Sequence, residues 1–234
     1  MKRLVRFFGG SAALAALLAA GRIAAAEFSV DFGRGRWDRA LWNEVKLARK
    51  QHIGAMDQES DHIVNRTPPE LSAEEVFRKY GSSAYGALLT RRKFSGFPIT
   101  ICAEVSFDHR MAPEIILVGE PVLSADGTAE VREYFGVVLF DRGINVWYYG
   151  CEGGKPLNYL VCFTRREFLP KRRYELKLTV DRSPNFPVLT VECGGAVCGF
   201  RHRALPAAFH AGVLGSEGRA RFYNFKVKTA AVGQ

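Results

Sequence analysis

The sequence predicts an all-β, antiparallel sandwich built from many short strands. From Ile99 onward apolar and polar residues alternate over short runs, which is the two-residue period of a strand buried on one face. Asp126-Gly127, Arg142-Gly143, Gly153-Gly154, Ser183-Pro184 and Gly194-Gly195 punctuate these runs, as hairpin and loop chemistry requires. Many short strands at hairpin spacing belong to a sandwich or jelly roll and argue against a parallel α/β sheet.

Met1 to Ala26 opens with Lys2, Arg3 and Arg6, continues through an Ala/Leu-rich run from Ser11 to Ala20, and closes on Ala24-Ala25-Ala26. Basic, apolar and small-residue regions in that order predict a secretory signal peptide (1–26), cut after Ala26. The apolar run is broken by Gly21 and Arg22, short of the ~20 residues that span a bilayer. A membrane anchor is therefore the lesser alternative, and no span is expected after cleavage. Lys2, Arg3, Arg6 and Arg22 leave with the signal, which lowers the formal charge from +9 to +5. The surplus fits a solvated basic surface or an anionic glycan partner. Nucleic acid is disfavoured, because the chain is expected outside the cytoplasm and carries no clustered basic stripe.

Residues 27–229 are expected to form one sandwich domain, with 230–234 as a tail. Its first part, 27–90, reads as initial strands plus an irregular excursion, too polar to hold a core of its own. Pro68-Pro69 breaks the chain. Ser72 stands three residues before Glu75 at the head of Leu71–Tyr80, a capping-box spacing that predicts a short helix. Asn65-Arg66-Thr67 matches a glycosylation acceptor. His52 and His62 are weak catalytic candidates. Asp61 adjoins His62, but neighbours on a regular strand face opposite ways, so no Asp–His pair is expected there.

The next run, 99–108, places Ile99, Ile101, Ala103, Val105 and Phe107 on one face and Thr100, Cys102, Glu104, Ser106 and Asp108 on the other. Further strands are expected at 114–118, 133–140, 144–149, 157–164, 174–180, 188–192, 212–214 and 221–227. Five cysteines lie in this part of the chain: Cys102, Cys151, Cys162, Cys193 and Cys198. Export permits disulfides. The Cys151/Cys162 and Cys193/Cys198 pairs each flank a turn, so each would bridge if register set its members opposite; buried reduced thiols are the alternative. No Cys/His spacing fits zinc.

Two stretches resemble a known superfamily. Ala211-Gly-Val-Leu-Gly-Ser-Glu-Gly-Arg-Ala-Arg-Phe-Tyr-Asn-Phe-Lys-Val227 is similar to the closing strand pair of concanavalin A-like lectin/glucanase jelly rolls. Phe32-Gly-Arg-Gly-Arg-Trp-Asp-Arg-Ala-Leu-Trp42 resembles the way such domains open, and 94–149 looks like exported bacterial relatives. The resemblance implies two packed, curved antiparallel sheets whose concave face often binds glycans. It also brings in lectins, binding modules, glycoside hydrolases, polysaccharide lyases and enzymes of 3-keto-glycosides. The Glu-x-Asp-x-x-Glu strand of laminarinase-type hydrolases is absent, as are the Gln-x-His and Tyr-x-Lys strands of alginate-type lyases. Such jelly rolls often hold a structural calcium between first and last strands; Asp31 is a conceivable ligand, but no dense acidic loop supports one, and no cofactor is expected.

The candidate sugar contacts fall in two groups. The hairpin from Glu133 to Tyr149 puts Asn145, Trp147 and Tyr149 on one face, with Tyr134 and Asp141 nearby. A flat aromatic beside an amide suits the C–H face and hydroxyls of a sugar ring; the alternative is a core Trp147 with Tyr148 outward. The strand end offers Glu104, Asp108, His109 and Arg110, either an acid/base set with an anion clamp or a solvent-facing ion pair. The leading expectation is an exported glycan-binding jelly roll with both groups lining one concave site. A carbohydrate-active enzyme using Glu104, Asp108 or His109 is the competing class. A structural envelope domain, with its concave face filled, is the third.

Overall fold

The computed structural model describes residues 27–35, 37–48, 55–65, 71–72, 75, 78–79, 84–108, 113–182 and 186–230. Residues 1–26, His52, Pro68-Pro69, His109, Arg110 and residues 231–234 lie outside them. The first nine strands are β1 (Glu27–Asp31), β2 (Trp42–Leu47), β3 (Met56–Gln58), β4 (Ile63–Asn65), β5 (Ala84–Thr90), β6 (Ile99–Phe107), β7 (Pro113–Val118), β8 (Val122–Leu123) and β9 (Ala129–Val131). They are followed by β10 (Tyr134–Phe140), β11 (Gly143–Glu152), β12 (Lys155–Arg165), β13 (Tyr174–Arg182), β14 (Pro187–Cys193), β15 (Ala196–Arg201), β16 (His210–Ser216) and β17 (Ala220–Thr229).

Every strand expected from the alternation after Ile99 is present. Three others had no readable signal: β8 and β9 are too short to show a period, and β15 is interrupted by Gly199. The β10–β11 loop is Asp141-Arg142, one residue earlier than the Arg-Gly signal places it, because Phe140 already pairs with Gly143.

The strands form two sheets. One runs β15-β14-β13-β6-β17-β4-β3, with β1 added on β17; the other runs β12-β11-β10-β7-β16-β5-β2-β9-β8. Alternation on β6 is realised as read, with Ile99, Ile101, Ala103, Val105 and Phe107 in the core between the sheets. Trp42 anchors one end of that core, its ring meeting Phe225 at 5.3 Å, Phe28 at 5.6 Å and Phe32 at 6.0 Å.

The second sheet cannot be flat. Only Arg132 and Glu133 connect β9 to β10, yet β7, β16, β5 and β2 stand between those two strands in the sheet order. Flat pairing would separate them by about 24 Å, and the link spans about 11 Å at most. The sheet therefore curls until its β2–β9 end folds back towards β10. Val45, Leu47, Ala87, Leu89, Ile116, Val118, Val131, Tyr134 and Leu214 fill the inside of the curl as a second buried cluster.

Local signals in the first part of the chain hold where they are described. Ser72 Oγ accepts from the Glu75 N–H at 3.2 Å and the Glu75 carboxylate accepts from the Ser72 N–H at 2.7 Å, the reciprocal capping box at the head of a helical segment. The Ser72 N–H and hydroxyl, both donating to the Glu75 carboxylate at 2.7 Å, hold that carboxyl below its ordinary range. Asn65, by contrast, is buried: its amide donates to the Gly218 carbonyl and accepts from the Ala220 N–H. The side chain that the glycosylation spacing marks is thus consumed in joining β4 to the β16–β17 turn.

Candidate functional site

The curl defines a concave face on the nine-stranded sheet, and β10 and β11 carry the hairpin residues onto it. Ile144 and Val146 point into the sandwich core, so Asn145, Trp147 and Tyr149 point the other way. Tyr148 packs inward against Phe135 and His202. Across the ladder Trp147 faces Gly136, which faces Ile116; Asn145 faces Val138, which faces Glu114. On the neighbouring strand β12, Leu160 and Phe163 lie opposite Trp147 and Asn145 and are 43% and 47% exposed. The result is a partly open aromatic and aliphatic surface bordering the buried inside of the curl.

At that border sits a carboxyl group. Glu114 is only 1% exposed, and a Cβ built on Gly136 would overlap its Oε1 and stand 2.9 Å from its Cδ. Gly136 is therefore the gap into which the carboxyl fits. Tyr134 and Tyr149 stack beside it, their centroids 4.4 Å apart and nearly parallel. Burial, then the Glu114 and Glu217 carboxylates, push the Tyr149 phenol far above its ordinary pKa, partly offset by a hydrogen bond from Tyr134. Both the burial and the carboxylates favour the neutral phenol.

Glu114 and Glu217 were not candidates from the sequence. A signal existed for the first: in Pro113-Glu-Ile-Ile-Leu-Val118 an acid opens an otherwise unbroken apolar run. Such a run marks a strand buried on both faces, where a carboxylate needs a reason.

Glu104 and Asp108 lie elsewhere. They project from β6 onto the outer face of the eight-stranded sheet, so the sandwich core separates them from Trp147, and the structure does not join the two groups in one groove. There Asn224 donates to Glu104 at 3.3 Å and Arg221 donates to both oxygens of Asp108 at 2.7 and 3.1 Å. Arg173 lies between Asp61 and Glu104 and stacks over Tyr223 at 3.6 Å. Asp61 and His62 do pair, at 2.6 Å, against the expectation from strand alternation. They occupy the bend before β4, where the alternation rule does not apply. His62 also stands 3.1 Å from Glu59, which Arg219 binds in turn. This face is a network of mutually neutralising charges.

Asp141 lies in the β10–β11 loop at the far end of the hairpin from Tyr149. The Asp31 carboxylate accepts from the Gly33 N–H at 2.9 Å and pairs with Arg34 at 3.1 Å. Among the described residues no group of three His, Cys, Asp or Glu side chains is placed to hold a metal ion. Nor is any described helix long and apolar enough to cross a membrane.

At one end of the sandwich, between the sheets, His202 is clasped by Phe135, Tyr148 and Tyr159. Its Nδ1 accepts from the Ala204 N–H at 3.1 Å, which leaves the proton on Nε2 to be donated to the Tyr159 hydroxyl at 2.6 Å. An imidazolium would set two donors against each other at Nδ1. Burial, then Arg203, lowers the His202 pKa accordingly. Above the free-histidine value of about 6.5 both folded and unfolded states are neutral here. Below it the unfolded chain takes up the proton first, so this contribution to stability is lost as pH falls from about 6.5 towards the folded pKa. We expect His202→Gln to flatten the fall of melting temperature between pH 7 and pH 5; an unchanged slope in the variant would assign the effect to other groups.

No family model matches the sequence, and no curated protein does. Solved structures match the fold. Peanut lectin superposes with a TM-score of 0.55 at 9% identity, over 90% of this chain and all of that one (100%). β-Agarase A from Zobellia galactanivorans gives 0.55 at 8%, over 89% and 94%. A point mutant of the Emp46p carbohydrate recognition domain gives 0.54 at 13%, over 86% and 95%. The chain is an antiparallel jelly-roll sandwich. In particular, its fold is that of the concanavalin A-like lectins and glucanases.

Proposed function

We propose that this is an exported protein that binds a polysaccharide on the concave face of the nine-stranded sheet, over Asn145, Trp147 and Tyr149, with Tyr134 and Glu114 at the inner end. One observation carries the reading: Trp147 is half-buried on that face, flanked by Asn145, Leu160 and Phe163, beside a buried carboxyl and two stacked phenols. Aromatic faces pack against sugar C–H groups, and the half-buried Asn145 amide and Tyr149 phenol answer hydroxyls, with Glu114 and Tyr134 buried behind them. The lectin and the recognition domain among the fold neighbours support a sugar ligand. The envelope-domain alternative would have residues 27–90 fill the concave face; a buried cluster occupies the β2–β9 end of the curl, while Trp147, Leu160 and Phe163 on β11 and β12 stay partly exposed. In calorimetry against plant, algal and host polysaccharides, at least one binds, and Trp147→Ala weakens it roughly tenfold or more with little change in melting temperature. Absence of binding to every glycan, or full affinity in Trp147→Ala, would overturn the proposal.

A catalytic reading has its own observation, the Glu114 carboxyl buried beside the stacked Tyr134 and Tyr149, and β-agarase as a fold neighbour. In that reading Glu114 and Glu217 replace Glu104 and Asp108 as acid and base, since the latter are ion-paired on the opposite surface. Release of reducing ends that disappears in Glu114→Gln while binding persists would favour it.

A further inference from the structure

We propose that Cys162 and Cys198 form an intramolecular disulfide that staples the edge strands of the two sheets together. Cys162 lies on β12, the outermost strand of the nine-stranded sheet, and Cys198 on β15, the outermost strand of the other. The backbones of β12 and β15 approach within 8 Å. Both side chains point into the seam between the sheets: Cys198 belongs to the core and Cys162 packs against it. Each thiol lies near enough to perturb the other, and the Thr164 side chain also acts on Cys198.

The other three cysteines are placed differently. Register puts Cys193 opposite Ala196 and Cys198 opposite Val191, so the pair that brackets Gly194-Gly195 is out of step by two residues. Likewise Cys151 faces Pro156 while Cys162 faces Val146, and Cys151 is exposed. Cys102 projects from the outer face of β6, half-buried among Glu175 and lysines. The register condition on which either turn-flanking pair would bridge is therefore not met, and the cross-sheet pair takes their place.

The chemistry needs an oxidant, and a disulfide, low-molecular-weight or carried by a protein, is sufficient. Cys162, the more accessible sulfur, loses its proton and attacks one sulfur of the oxidant, expelling the other as a thiol. Cys198 then loses its proton and displaces the remaining half. Two protein S–H bonds become one S–S bond, and the oxidant's S–S bond becomes two thiols. Burial raises the Cys198 thiol to about 11, so the second step depends on the proximity of the two sulfurs rather than on a ready thiolate. The bridge would close a loop holding β13 and β14 and fasten the sandwich where both sheets end.

The test uses the full chain, purified reduced and equilibrated in a glutathione disulfide/glutathione buffer, then alkylated and digested without reductant. Mass spectrometry should find one linked peptide pair containing Cys162 and Cys198, lighter by two hydrogen atoms than the separate peptides, with the other three cysteines alkylated. Melting temperature should rise by roughly 5–15 °C over the reduced form, and the rise should vanish in Cys198→Ser and in Cys162→Ser. The second variant, at a half-buried position, serves if the first does not fold. Five alkylated thiols, a stable glutathione adduct on Cys162, or a link to Cys193 or Cys151 would each overturn the assignment.

Discussion

Trp42→Ala is expected to lower the unfolding free energy by about 3–5 kcal/mol. The indole is 1% exposed and joins three aromatic rings that reach it from β1, from the turn after it and from β17. Phe28 touches Phe94 and Phe225 as well, so truncating Trp42 hollows a cluster in which neighbours hold one another's positions and cannot collapse freely into the space. Chemical denaturation should show the midpoint moving with an unchanged slope, and heating a melting temperature lower by roughly 6–20 °C. A loss under about 1 kcal/mol would mean that the cluster relaxes around the gap and that Trp42 is not its anchor.

Gly136→Ala carries the next largest effect and tests the concave site directly. The added methyl occupies the position of Glu114 Oε1, and the carboxyl, almost fully buried, must rotate away from a site shaped to hold it. Overpacking of this kind costs about 1–3 kcal/mol, and displacing a carboxyl from its buried partners adds to it. Sugar affinity should fall with it, since the displaced group is driven towards Trp147 or Tyr149. A double-mutant cycle isolates the cause: in a Glu114→Ala background the alanine at 136 meets no carboxyl, and a coupling of at least ~1 kcal/mol is expected. If Gly136→Ala is equally harmful in both backgrounds, the clash lies elsewhere and the fit of Glu114 into this gap is not what the glycine serves.

Much of this fold was legible because its signals are local. Alternation along 99–108 reports which side chains of one strand go in, and it needs no knowledge of the partner strand. The same holds for the capping spacing of Ser72 and Glu75. The hairpin faces of Asn145, Trp147 and Tyr149 were readable for the same reason, although which face was core and which concave was not. Where a residue left regular structure the local rule failed: Asp61 and His62 pair because they sit in a bend, and Asn65 is buried because a distant turn requires its amide.

The candidate site was less legible than the strands that carry it. Glu104 and Asp108 read as companions of Trp147 because each group stands on the polar face of its strand. Two strands with the same alternation can belong to different sheets, and then their polar faces look in opposite directions. Glu114 escaped notice for the converse reason, being the one acid in a strand whose other residues all signal burial.

By itself the sequence determined the longer strands after Ile99, the antiparallel sandwich and which side chains of a regular strand share a face, since those follow from period, propensity and turn chemistry within a few residues. Only the tertiary structure decided that Glu104 and Trp147 face apart, that a two-residue link forces the nine-stranded sheet to curl, and that the edge strands carrying Cys162 and Cys198 abut at the seam between the sheets. Each of those depends on the order of strands in a sheet, a long-range property set by the burial of the whole core, and no local window of residues contains it.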